Sequence, residues 1–298
     1  MMYINTPKIL RTLGIDKNLV MLICNNPLFY HKFRELKNIQ KGGNYKISIP
    51  EYNDEIIIEE YLIENKKAYS IFTKKYINGK WEDEKNPSSC LIMLKDENIM
   101  HIETINSFDE CVSLKGRKLN GSILLNIAIK FIESIKDIEN INQISLIDKA
   151  VKLCGNTSIN LSDFKILISG NSWYGDDKYG FIPAKNKNGK YYIDENKVIK
   201  YNNNKKIIQK LTVRKSKIID IIINNIKLEK NIKYNDNLNK LLNYMKINID
   251  KKLSVVLSEY LTFEKFRKRC FVINLIIDEI FRENNLQSFS DMLFIKNF

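Results

Sequence analysis

The chain has 298 residues, of which 48 are Ile, 41 Lys and 37 Asn, while Ala occurs only four times, a bias that follows adenine- and thymine-rich codons more than any fold. With 44% hydrophobic residues it can bury a sizeable core, so one domain plus an appendage or two modest domains is the natural reading, and collagen-like, coiled-coil and wholly disordered chains are excluded. The net charge of +13 is uneven: residues 185–298 carry +12 and residues 1–184 only +1.

From Asp16 to about Ile39 the spacing of Leu19, Leu22, Ile23, Leu28, Phe29 and Phe33 predicts a helical segment, broken or restarted at Pro27 and ended by Lys41-Gly42-Gly43-Asn44. Strands are expected next at Tyr45–Ile49, Glu55–Ile63, Ala68–Tyr76, Cys90–Leu94 and Ile99–Ile105. Turn signals at Asn78-Gly79 and Lys95-Asp96-Glu97-Asn98 make this stretch an antiparallel meander.

Ser113 to Ser122 then forms a basic, glycine-containing loop with Lys115, Arg117 and Lys118, running into a helix at about 121–136 that is apolar on most of its circumference. Such a loop is a good seat for a pyrophosphate, because unpaired amides and the helix dipole both favour negative charge. An ordinary strand-to-helix turn that uses glycine for backbone freedom is the competing reading. A strand at Gln143–Ile147 follows, then a capped helix opening near Asn160, and then Ser172-Trp173-Tyr174 and Tyr179-Gly180-Phe181. Strands are expected at Lys190–Ile193 and Lys197–Tyr201, and the polar Asn202-Asn203-Asn204 reads as a boundary. Beyond it, helices are expected at Ile207–Asn225, Asn237–Met245, Lys251–Cys270 and Phe271–Glu283.

This order of elements resembles the GNAT-type N-acetyltransferase fold. In that family a Q/R-x-x-G-x-G/A loop cradles the pyrophosphate of acetyl-CoA. Laying Gly121-Ser122-Ile123-Leu124-Leu125 on the family's G-S-x-L-L keeps only the final Gly of the loop pattern, with Gly116 at the Q/R position and Leu119 at the first Gly. The segment Ile159 to Phe181 also looks like stretches of acetyltransferase-like proteins of large DNA viruses. The similarity covers roughly residues 55–201. It implies an α+β fold with a GNAT-like mixed, mainly antiparallel sheet and flanking helices. The division expected is a helical segment at 1–44, the GNAT-like core at 45–204 and a basic, mostly helical appendage at 205–298. It also implies acetyl-CoA held by Leu119, Asn120, Gly121, Ser122 and Ile123, with Tyr174 as the acid that protonates the departing thiolate. Glu103 or His101, expected to share one strand face, would be the base that takes the amine's proton.

A rival reading from a different class is a non-enzymatic viral protein, with the core as scaffold and residues 185–298 binding nucleic acid or acidic virion partners. The stretch 185–233 holds 14 basic and 4 acidic residues, and dense clusters occur at Arg214, Lys215 and Lys217 and at Lys265, Arg267, Lys268 and Arg269. Interleaved tyrosines could stack on bases. Zinc-finger, helix-turn-helix and RNP-type motifs are absent, and Cys, His and carboxylates show no metal-ligand spacing. Five Cys, at 24, 90, 111, 154 and 270, with no C-x-x-C pair, argue against a disulfide framework. The expectation is therefore an intracellular protein, in host cytoplasm or virion if viral, neither secreted nor membrane-spanning.

Overall fold

Alternating apolar and polar side chains put one face of Tyr45–Ile49 and of the strands after it into a core, and that pattern sets the architecture. The computed structural model describes residues 41–49, 53–63, 65–84, 87–106, 109–149, 151–154, 157–175, 177–228, 236–260 and 270–298. Across them the chain is α+β, with mostly antiparallel strands and, among the described residues, eight helices. It divides into two compact units, Met1–Leu146 with Asn297–Phe298, and Ile147–Lys296. The helix expected at Asp16–Ile39 lies outside the described residues.

In the first unit, β1 (Lys41–Ile49), β2 (Asp54–Ile63), β3 (Lys66–Phe72), β6 (Ser89–Asp96), β7 (Ile99–Ile105) and β8 (Gln143–Asp148) lie side by side in that order. The pairs are antiparallel except the last: β8 runs parallel to β7, with Ile99 opposite Gln143 and Ile102 opposite Leu146. The expected single strand Ala68–Tyr76 is divided at Thr73, and β4 (Lys74–Ile77) with β5 (Lys80–Asp83) makes a separate hairpin. Its Asn78-Gly79 turn has both φ values positive, 50° and 82°, as a type I′ turn requires. The register slips three times: between Lys41 and Asn44 of β1, and where Cys90 in β6 and Glu103 in β7 are the extra residues of bulges.

A parallel return needs a crossover, and α1 (Gly121–Ile135) supplies it. Leu124, Leu125, Ile127, Ala128, Phe131 and Ile132 are among its buried residues, and the helix packs on β1, β6 and β7. Phe131 meets Tyr45 and Tyr69 edge-on at centroid distances of 5.2 and 5.0 Å. Each such apolar side chain contributes roughly 1.5–3 kcal/mol by leaving water. Contrary to the expectation from the cysteine count, Cys90 and Cys111 form a disulfide, with Cα atoms 5.8 Å apart and both residues fully buried. It ties the β6 bulge to the segment that enters the 113–120 loop.

The second unit contains a hairpin of β9 (Val151–Cys154) and β10 (Thr157–Asn160), then α2 (Leu161–Ser169), β11 (Ile182–Lys187) and β12 (Lys190–Ile193). Near its end β13 (Met292–Asn297) pairs antiparallel with β11, giving the order β13-β11-β12. The α2 start is as expected: Asn160 Oδ1 accepts from the amides of Ser162 and Asp163.

The expected strand Lys197–Tyr201 and the polar boundary after it are instead one helix, α3 (Glu195–Lys210), capped by Asp194. Asn204 lies inside that helix, buried, exchanging two hydrogen bonds with the backbone of Gln287. The remaining helices are α4 (Val213–Ser216), α5 (Ile218–Leu228), α6 (Asp236–Ile247), α7 (Leu253–Tyr260) and α8 (Cys270–Glu283). Among the described residues no helix is long and apolar enough to cross a membrane.

Candidate functional site

In the first unit the sites read from the sequence fall on β7 and on the loop leading from it to α1. That loop is organised by a residue 59 positions upstream. Asp54, buried, accepts hydrogen bonds from the Ser113 hydroxyl and from the amides of Glu55 and Lys115, the last at 3.2 Å. Burial pushes its carboxyl up, but the bonds from Ser113, Glu55 and Lys115 outweigh this and leave it below the ordinary carboxylate value.

The same loop spends its own amides. Ser113 donates to Arg117 O, Gly116 to Ser113 O, Arg117 to Ser113 Oγ, Leu114 to Glu55 O and Leu119 to Cys111 O. Gly116 sits at φ +78° beneath the Trp81 indole, where an added Cβ would fall 1.7 Å from Nε1. Its glycine is therefore required for the β4–β5 hairpin to pack on the loop. Lys115 Nζ bonds Asn53 O at 2.6 Å, and Lys118 pairs with Asp109.

Of the five residues expected to hold cofactor, Leu119 is fully buried and Asn120 is the N-cap of α1, its Oδ1 accepting from Ile123 N at 3.0 Å. The amides of Gly121 and Ser122, in the first turn, have no acceptor among the described residues. A Cβ at Gly121 would meet only Ile105 Cγ2, at 3.9 Å, so close packing does not require glycine there. An anion here would meet the amides at the start of α1 and not those of residues 113–117, which are already taken.

The strand face expected to be shared by His101 and Glu103 is broken by the bulge at Glu103. His101 is 9% exposed, with Nδ1 2.6 Å from Ser145 Oγ on the neighbouring β8. Burial pulls its imidazole down to about 4, so the ring is neutral near pH 7. Glu103, the extra residue of the bulge, is exposed. One group is a buried neutral ring and the other a solvated carboxylate.

Tyr174 lies in the second unit, in a turn fixed by a tyrosine from α3. The Tyr201 hydroxyl accepts from Ser172 N at 2.9 Å and donates to Gly175 O at 2.8 Å, while Gly175 N donates to Ser172 Oγ. A Cβ at Gly175 would come within 2.3 Å of the Tyr201 oxygen, so glycine is needed there. Tyr174 itself is buried, and burial, then the neighbouring Asp148 carboxylate, then Tyr179, push its hydroxyl well above the usual tyrosine range. It therefore holds its proton.

The two basic clusters fare differently. Arg214 forms a two-pronged pair with Asp250, Nε–Oδ1 3.0 Å and Nη2–Oδ2 3.4 Å, and Lys217 pairs with Glu283 at 3.1 Å, whereas Lys215 is exposed without an ion pair among the described residues. Lys265, Arg267, Lys268 and Arg269 lie outside the described residues. Asp54, Trp81 and Tyr201, which position the two turns, carry no local sequence signal, because their partners lie 26 to 61 residues away. Comparison with protein-family models, with curated proteins and with solved structures found no match.

Proposed function

We propose that the chain is a GNAT-like, acyl-CoA-dependent N-acetyltransferase whose cofactor pyrophosphate is held at the first turn of α1. The observation that carries this reading is the connection from β7 through a basic loop into α1 and back along a parallel β8, with the Gly121 and Ser122 amides left open at the helix start. This is the order of elements on which the family resemblance rests. Bound acetyl-CoA would supply an activated acyl group. For the amine's proton, the exposed Glu103 is the better base, because His101 is buried and committed to Ser145.

Calorimetric titration with acetyl-CoA tests the reading, with Gly121→Pro as its control. Proline is well tolerated as the first residue of a helix, and the extended backbone of Asn120 suits a following proline. The variant thus deletes one open amide at little cost to the fold. Saturable micromolar binding that weakens about tenfold in Gly121→Pro, the loss of roughly one hydrogen bond to a charged group, is expected. Absence of binding up to millimolar cofactor would overturn the reading.

A further inference from the structure

Several basic side chains of the second unit are paired. Lys197 pairs with Asp194, Lys205 with Asp177, Arg214 with Asp250 and Lys217 with Glu283. The β11–β12 hairpin gathers, among the described residues, unpaired lysines beside an exposed aromatic ring. Its register sets Lys185 opposite Tyr192 and Lys187 opposite Lys190. Strand alternation therefore places these four side chains on one face of the ribbon. All four are exposed, Tyr192 by 48%, and none of the three lysines has an ion pair among the described residues.

The ribbon itself, IPAKNK and KYYI, contains no acidic residue. Asn188 and Gly189 close it in a tight turn with φ 54° and 79°, and within this unit β12 is the edge strand. The Cβ atoms of the three lysines and the tyrosine are thus about 5 Å apart across the strands and about 7 Å apart along them.

We propose that this face binds single-stranded nucleic acid, with Lys185, Lys187 and Lys190 on successive phosphates and Tyr192 stacked on a base. An acidic protein would satisfy the lysines but gives the exposed ring no role, whereas a strand with unpaired bases uses both. Duplex DNA buries its base faces in the stack and offers the ring nothing to lie on. The proposal is independent of the acetyl-CoA reading, since it involves none of the same residues.

The test is fluorescence anisotropy of a labelled oligothymidine with the full chain across 50–200 mM salt. Wild type should bind saturably, with log affinity falling linearly against log salt. Replacing Lys185, Lys187 and Lys190 together by Gln should flatten that slope by about 2, since each phosphate contact on a single strand contributes about 0.7. Tyr192→Ala should weaken binding about tenfold at any salt and leave the slope unchanged. A matched triple change on α3, Lys200→Gln, Lys206→Gln and Lys210→Gln, removes equal charge from elsewhere on the unit. If it acts as strongly as the hairpin triple, or if polyglutamate competes as well as the oligonucleotide, the proposal is overturned.

Discussion

Asp54 shows how much one side chain can decide. Three donors converge on its carboxylate, and without it the Ser113 hydroxyl and the Lys115 amide would be stranded in a part-buried loop. Asp54→Ala should therefore cost on the order of 2 kcal/mol at neutral pH. Its pH dependence has a definite sign. The folded-state carboxyl lies below its ordinary 3.8, so its contribution is fully present above that value and is lost as the pH falls through the lower, folded-state value. Urea denaturation of wild type and Asp54→Asn should show a stability gap that is constant from pH 7 to about 5 and closes below about 4. A gap that stays open in acid would mean the carboxylate is not what the loop bonds hold. Nothing near Asp54 in the sequence announces this role, because Ser113 and Lys115 lie more than 50 residues on; the lysines of the loop were legible, the residue that folds it was not.

Helix α1 is the element where sequence and structure agree most closely, and its cap separates two roles for one residue. Asn120 was grouped with the cofactor site, yet its side chain closes the helix on Ile123 N. Asn120→Ala should lower stability by about 1 kcal/mol, read as a shifted urea midpoint at unchanged slope, while acetyl-CoA affinity changes little because Gly121 and Ser122 keep their amides. A large loss of affinity at unchanged stability would return Asn120 to the binding surface. The helix was readable because its burial follows the 3.6-residue period without help from distant partners. The meander was readable for the matching reason, period-two alternation punctuated by Asn-Gly. Helix α3 was not: Val198, Ile199 and Tyr201 look strand-like in isolation, and Asn204 hides on the buried face. Its fit there depends on Gln287, 83 residues away, so Asn204→Ala should strand that backbone amide and carbonyl and cost about 1–3 kcal/mol in the same assay. The register slips escaped for a similar reason, since a slip is a property of a pair of strands and not of either one.

At the scale of the whole molecule, composition was a good guide to charge and a poor one to cysteine chemistry. An odd count of five shows only that not all cysteines pair within one chain; it is silent about any two of them. Cys90 sits on a β6 bulge and Cys111 at the start of the loop that leads to α1, and the Asp54 and Trp81 contacts to the same loop all reinforce that join. The bridge spans 21 residues, and closing a loop of that length should stabilise the chain by about 3 kcal/mol relative to its reduced form. Comparison of the oxidised chain with Cys90→Ala/Cys111→Ala in urea should show that difference as a lowered midpoint. Because both residues are fully buried, thiol labelling of the native oxidised chain should spare them, and they should become reactive only after denaturation in the presence of a dithiol. Denaturation without reductant that exposes five thiols, together with equal midpoints for the two chains, would establish that the pair is unbridged in solution. The loop would then rest on its hydrogen bonds and on the Trp81 contact, and the Asp54→Ala loss should be the same in both chains. If the bridge forms, it already constrains the loop, and the two sets of substitutions should be measurably non-additive.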